Sequence, residues 1–459
     1  MLECFANEET KQVVPIYLVT PEGYSDWLSS QPVATKNWLT AMQFKAEPHA
    51  IRTIPGDAGQ LAGVICCVPD RKNMWGVGHL PFNLPEGVYQ IDGLSSQDPD
   101  YATAWGLGAY QFTRYKKPTR NPAKLALPAK QAAHVENIVE SIYLVRDWIN
   151  TPTDDMGPTE FANAASKLAK SYDTSFSQII GDDLLKQNYA SIYTVGRASD
   201  DAPRLLDLRW GNPKHPKVTL VGKGVCFDSG GLDIKPSSYM LLMKKDMAGG
   251  AHVLGLARMV MQAKLPVCLR VLVPVVENVI SGNAYRPGDV IKSRSGKTIE
   301  VGNTDAEGRV ILADALTEAV SEKPDLLIDI TTLTGAARVA LGTELPAVFC
   351  NNDDLAAEII KHGKNQYDPV WQMPLYAPYR EFINSSIADI NNNSSEPYGG
   401  AITAALFLKD FVPDTIPWLH FDMMAWNLRT RPGRPAGAEA MALRALFSYL
   451  SDRYITTKT

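Results

Sequence analysis

Asn303-Thr304-Asp305-Ala306-Glu307-Gly308-Arg309, read together with the segment from Val221 to Asp246, decides how this chain is understood. The two segments put Lys223, Asp228, Lys235, Asp246, Asp305, Glu307 and Arg309 on loops at the ends of apolar, strand-like runs. Asp-Ala-Glu-Gly on its own is ordinary turn and helix-cap material, and an acid there favours the amino end of the helix that follows. The upstream segment changes that reading. Val221-Gly-Lys-Gly-Val-Cys-Phe-Asp-Ser-Gly-Gly231 places a charged residue at each end of a buried strand and its exit, where open α/β sheets hold their ligands. Carboxylates repel one another, so gathering Asp228, Asp246, Asp305 and Glu307 requires positive charge to offset them, and divalent metal is its economical source.

Three blocks, VGKGVCFDSGGLDIKP (221–236), MKKDMAGGAHV (243–253) and NTDAEGRVILADAL (303–316), together resemble the leucyl aminopeptidase family of two-metal exopeptidases. The resemblance runs from about Asn150 to Tyr454 and is not visible in the first 120 or so residues. It implies that Lys223, Asp228, Asp246, Asp305 and Glu307 are metal ligands, and that Lys235 and Arg309 are catalytic without being ligands. It also implies zinc or manganese as the metals, a bicarbonate held by Arg309 as general base, a homohexamer, and removal of apolar amino-terminal residues such as leucine. Val310 stands where the family more often has leucine.

Those residue types suit that chemistry. Two divalent ions about 3.5–4 Å apart share a water, lower its pKa and clamp both oxygens of a displacement. Asp228 and Glu307 can each present two oxygens to such a pair, with Asp246 and Asp305 completing the shells. A lysine ligates only as the neutral amine, so metal affinity is expected to rise with pH. No histidine is needed, which keeps manganese or cobalt open beside zinc. Lys235 is expected to stabilise the oxyanion, and Arg309, at a helix start, to bind a small anion. Met243 and the loop containing Thr332, Leu333 and Gly335 are candidates for an apolar substrate pocket. His252 and His420 lie in apolar sequence and read as hydrogen-bonded core residues. The Gly222-Lys223-Gly224 run lacks the remainder of a phosphate-loop motif.

With 459 residues, 45% hydrophobic and 21% charged, the chain has the make-up of a two-domain globular protein. The net charge of −5 gives no electrostatic reason for nucleic acid or an anionic membrane as partner. No apolar run approaches the roughly 18 residues of a bilayer span. The first ten residues do not read as a signal peptide, and the six scattered cysteines read as reduced core residues, which points to the cytoplasm.

The expected fold class is α/β: a smaller amino-terminal α/β domain over 1–122, a linker and connecting helix over 123–150, and a catalytic domain over 151–459 with a mainly parallel sheet covered by helices. Gln60–Val68 reads as a buried strand and Ala132–Asn150 as a helix with apolar residues on one face. The basic, proline-bearing stretch from Arg114 to Lys124 reads as a solvated linker. Ser191–Val195 and Val218–Val221 are expected strands, Met247–Ala263 and Arg309–Ser321 expected helices. Two other functions compete: a two-metal phosphoesterase, which usually includes histidines, and an oligomeric nucleic-acid-binding or scaffold protein with a structural metal site.

Overall fold

The computed structural model describes residues 2–10, 12–92 and 99–455 and divides into two compact units, Met1–Tyr143 with Leu428–Ala436, and Leu144–Asn427 with Gly437–Thr459. The first unit carries a six-stranded sheet in the order Phe5–Asn7, Lys124–Leu127, Val88–Ile91, Val14–Val19, Leu61–Cys67, Ile51–Pro55. All neighbours are parallel except the last pair. The expected strand over Gln60–Val68 is thus at the sheet's heart, and Val64 to Cys67 are fully buried. The basic stretch from Arg114 to Lys124 leads into the strand Lys124–Leu127 and lies inside this unit rather than between units. Arg120 explains why a charged, proline-rich sequence is held there: its guanidinium donates to the carbonyls of Phe82 and Leu84.

The second unit is built on a nine-stranded sheet. Its order is Trp371–Gln372, Ala347–Cys350, Trp418–Asp422, Leu326–Thr331, Lys217–Gly222, Cys268–Asn278, Arg204–Trp210, Ser175–Ile180, with Gly224–Asp228 added beside the far end of Cys268–Asn278. The four central strands, from Trp418–Asp422 to Cys268–Asn278, run parallel. Such strands are buried on both faces, which is why their sequences are nearly continuous in Val, Leu and Ile. Helix Glu307–Ser321 packs Val310, Ile311, Ala315 and Leu316 into a core shared with Val221 and Leu272. Helix Ala248–Gln262 approaches the sheet so closely that a Cβ on Gly249 would stand 2.0 Å from the Ile330 carbonyl oxygen, so only glycine fits.

Ser191–Val195 is helical, within Ala190–Gly196, and not a strand. Its β-branched residues favour strand, but the buried Asp314 carboxylate accepts from the Ser191 and Ile192 amides at 2.8 and 3.4 Å and satisfies the first turn from another element. In the edge strand Ser175–Ile180 only Phe176 and Ile179 are half-buried, so it presents no apolar run.

His252 is a hydrogen-bonded core histidine. One ring nitrogen meets the Ala248 carbonyl at 2.7 Å and the other accepts from the Met441 amide at 3.0 Å, which fixes the neutral ring with its proton on Nδ1. Burial lowers its pKa to about 4. The folded value lies below the roughly 6.5 of an unfolded histidine, so the unfolded chain takes up the proton first and stability falls as pH drops through this window. Melting temperatures should decline from pH 7 towards pH 4, with His252 contributing up to about 3 kcal/mol. His252→Gln, though less stable at neutral pH, should show a shallower decline; an unchanged slope would remove His252 from the account.

Candidate active site

The carboxyl ends of the central strands meet at one edge, and the charged residues picked out in the sequence converge there. Lys223 follows the strand Lys217–Gly222, its amide donating to the Ile330 carbonyl of the next strand at 3.1 Å. Asp228 closes Gly224–Asp228, directly opposite Asn278. Asp246 sits in the tight turn Met243–Met247, and Asp305 in the turn Thr304–Ala306, where the Asn303 side chain accepts from the Asp305 amide at 2.8 Å. Glu307 opens the helix that also carries Arg309.

Side chains interlock across these elements. The Lys223 amine lies 2.8 Å from Asp246 Oδ2 and 2.7 Å from Glu307 Oε1. Lys235 lies 2.8 Å from Asp228 Oδ2 and also contacts Asp305. Asn278 donates one side-chain amide to Asp228 Oδ1 and the Thr304 carbonyl, both at 2.9 Å, tying two of the site's loops together. Thr332 donates its hydroxyl to Asp246 Oδ1 at 2.7 Å. Arg309 donates to the Asn392 carbonyl at 2.8 Å, leaving Nε without a partner among the described residues.

The electrostatics show the strain of this gathering. Burial, then the neighbouring Asp228 charge, raises the Glu307 carboxyl to about 8, and burial with the Asp246 charge raises Asp228 to about 6. Burial would likewise raise Asp246, but the Lys223 charge outweighs it and holds that carboxyl below its usual value. Burial opposes the charge on Lys223, yet Asp246 and Glu307 together push its pKa well above that of a free lysine. Two lysines do not neutralise four acids here, and burial with mutual repulsion favours the protonated forms of Glu307 and Asp228.

The site's residues can accommodate metal. Asp228, Asp305 and Glu307 each offer a carboxylate oxygen, all within 4.8 Å of one another, and Glu307 Oε2 is buried with no hydrogen-bond partner. Hard oxygen donors with one amine suit Mn²⁺ or Zn²⁺. Beside this cluster opens a cavity of about 420 Å³, lined by Lys235, Arg309 and Met243, by the loop Thr332–Ala336, and by Lys245 and Arg338.

Comparison with known proteins matches this geometry to a family. Residues 143–447 match the cytosol aminopeptidase family, catalytic domain, and residues 14–128 match the M17 aminopeptidase N-terminal domain. The chain belongs to the cytosol aminopeptidase family. The first domain, in which no resemblance was visible from motifs, thus belongs to the family as well. The crystal structure of a cytosol aminopeptidase from Coxiella burnetii is 50% identical, with a TM-score of 0.96 over 99% of this chain and 100% of that one. Bottromycin maturation enzyme BotP in complex with Mn is 29% identical, with a TM-score of 0.85 over 96% of this chain and 99% of that one. Peptidase B of Yersinia pseudotuberculosis is 39% identical over 382 residues, covering 80% of this chain and 88% of that protein.

As a member of this metal-dependent peptidase family the chain is an aminopeptidase, acting on peptides. All seven charged residues singled out in the sequence come together, and Met243, Leu333 and Gly335 line the adjoining cavity. Thr332 lines it too, but its hydroxyl is spent on Asp246. The lining is not wholly apolar, because Lys245 and Arg338 contribute to it. Asp389 is exposed and does not line the cavity; it accepts from the Thr298 amide and hydroxyl. Asn278 and Asn392 were missed, since a lone asparagine in a strand or loop carries no motif. Asn392 accepts from the amides of Gly302 and Asn303 at 2.7 and 3.1 Å and so shapes the approach to Asp305.

Gly308 has a specific task. A Cβ there would meet Lys223 Cε at 2.5 Å and Nζ at 2.7 Å. Gly308→Ala should displace the amine and weaken Mn²⁺ binding by about 10- to 100-fold while the fold persists. Calorimetric titration with Mn²⁺ checks this, and wild-type affinity in the variant would show that the amine has room to spare.

Proposed function

We propose that this chain is a two-metal aminopeptidase in which Lys223, Asp228, Asp246, Asp305 and Glu307 hold the metals, Lys235 and Arg309 serve catalysis, and apolar residues such as leucine are among those released. The observation that carries the reading is the buried cluster itself, short of positive charge and with Glu307 Oε2 unpartnered. Zn²⁺ or Mn²⁺ bound there would supply a Lewis acid for the scissile carbonyl and an acidified water as nucleophile.

The chain's own residues do the rest. Asp228 and Glu307 would be shared by the two ions, with Asp246 and Lys223 holding one and Asp305 the other. Thr332 and Asn278 hold Asp246 and Asp228 in place by hydrogen bonds, so the ligand set is preorganised rather than gathered on binding. Lys235 borders the cavity with its amine and is positioned to donate to the carbonyl oxygen as negative charge grows on it. Its charge is secured: burial would lower its pKa, but Asp228 and Glu307 raise it instead, so it stays protonated. Arg309 lines the same cavity, and its unpartnered Nε fits a small planar anion, for which bicarbonate is the candidate and general base its role. Met243 and Leu333 give an amino-terminal side chain apolar contact. The family resemblance supports a homohexamer. Six free cysteines, and no helix among the described residues long and apolar enough to cross a membrane, are compatible with a cytoplasmic protein.

Lys235→Ala separates ligand from catalyst. The variant should bind two metals per chain by elemental analysis yet lose about 10²- to 10³-fold in kcat on aminoacyl anilides; loss of metal would make Lys235 structural. Arg309→Ala should lose activity and no longer respond to added bicarbonate, and absence of any bicarbonate response in the wild type would exclude that anion. Because Lys223 must shed its proton to ligate, and Glu307 also holds one near neutrality, Mn²⁺ binding should release protons and tighten from pH 6.5 to 8.5. Titration in buffers of different ionisation enthalpy measures this; pH-independent binding without proton release would take Lys223 out of the ligand set.

A further inference from the structure

Lys235 stands at the end of a loop that the apolar core does little to hold. The loop is closed at its base, where the Lys235 amide donates to the Ser229 carbonyl at 2.9 Å. Ser229 is in turn tied to the sheet, its amide and hydroxyl both donating to the Asn278 carbonyl, at 3.0 and 2.8 Å. Further out the usual anchor is missing, because the two apolar side chains either side of Asp233 face solvent: Leu232 is 41% exposed and Ile234 59%.

Asp233 itself fastens the outer turn, and it does so to Thr304. The Thr304 amide donates to Asp233 Oδ2 at 2.8 Å, and the Asp233 amide donates to the Thr304 hydroxyl at 2.8 Å. That hydroxyl passes its own proton to the Gly230 carbonyl at 2.6 Å. Thr304 is fully buried, and its carbonyl accepts from the Asn278 side chain at 2.9 Å and the Tyr285 hydroxyl at 2.6 Å, so it makes a fixed post. It also precedes Asp305, which the Lys235 amine contacts. The two carboxylates beside that amine, Asp228 and Asp305, both belong to the proposed ligand set. Oxygens shared with a divalent ion hold a neighbouring cation less strongly, which leaves the placement of the amine to the backbone that carries it.

We propose that Asp233 is the positioning residue for Lys235: fastened to Thr304, its carboxylate keeps the loop folded so that the amine faces the scissile carbonyl. The inference rests on the oxyanion role given to Lys235 above and adds the residue on which that role depends. A misplacement of about 1 Å can cost about 100-fold in rate, so undoing this link acts on turnover while the ligand set stays intact.

Steady-state kinetics of the Mn²⁺-loaded full-length enzyme on leucine aminomethylcoumarin, with metal content measured for every variant, test this. Asp233→Ala should lose about 10- to 100-fold in kcat with KM changed by less than about twofold and both metals retained. Asp233→Asn keeps an acceptor for the Thr304 amide and should stay within about threefold of wild type. Because Asp233 acts through Lys235, adding Asp233→Ala to Lys235→Ala should cost no more than about twofold further. Wild-type kcat in Asp233→Ala overturns the proposal. So does loss of metal in step with activity, an Asn variant as poor as the Ala variant, or an undiminished loss in the Lys235→Ala background. If Lys235→Ala itself turns over at the wild-type rate, the oxyanion reading falls and this inference with it. A crippled Lys235→Ala beside a fully active Asp233→Ala contradicts the positioning role alone.

Discussion

Four carboxylates cannot share one buried pocket as anions unless something positive stands between them, and that constraint organises the catalytic unit. Lys223 and Lys235 meet only part of the demand, as the elevated pKa values of Asp228 and Glu307 show. The proposed pair of divalent ions would supply the remainder. Removing water from such a cluster strengthens repulsion as much as attraction, so the site is costly without its ions and tightly bound with them.

The fold brings the cluster together by ending parallel strands at one edge. Lys223, Asp228, Asn278 and Thr332 all occupy strand ends or the residues just beyond them, where a few side chains from different strands can face one space while the core below keeps their backbones fixed. Asp305, Glu307 and Arg309 enter from a turn and the first turn of one helix, and Asn392 pins that turn from a distant loop. Glycines at 249 and 308 let helix backbone come within contact distance of the sheet and of Lys223.

Much of this was legible in the sequence, because charge at the end of an apolar strand is a strong local signal. The strand leading to Lys223, the two helices flanking the site and all seven charged residues could be read between Val218 and Ser321. What could not be read depends on contacts between distant segments. Ser191–Val195 has strand-favouring residues and becomes helix because Asp314, more than a hundred residues later, satisfies its first amides. The stretch from Arg114 to Lys124 looks like a solvated linker, yet Arg120 anchors it to Phe82 and Leu84 and its end joins a sheet. Asn278 and Asn392 are invisible until the strands are paired.

The proposed chemistry requires that the acid cluster hold a pair of ions. Crystals of the protein grown with Mn²⁺, measured at a wavelength where manganese scatters anomalously, test this directly. Two anomalous peaks per chain should lie among Lys223, Asp228, Asp246, Asp305 and Glu307, with Asp228 and Glu307 touching both. No peak in the cluster, or a single one, at saturating Mn²⁺ and pH 8 would contradict it.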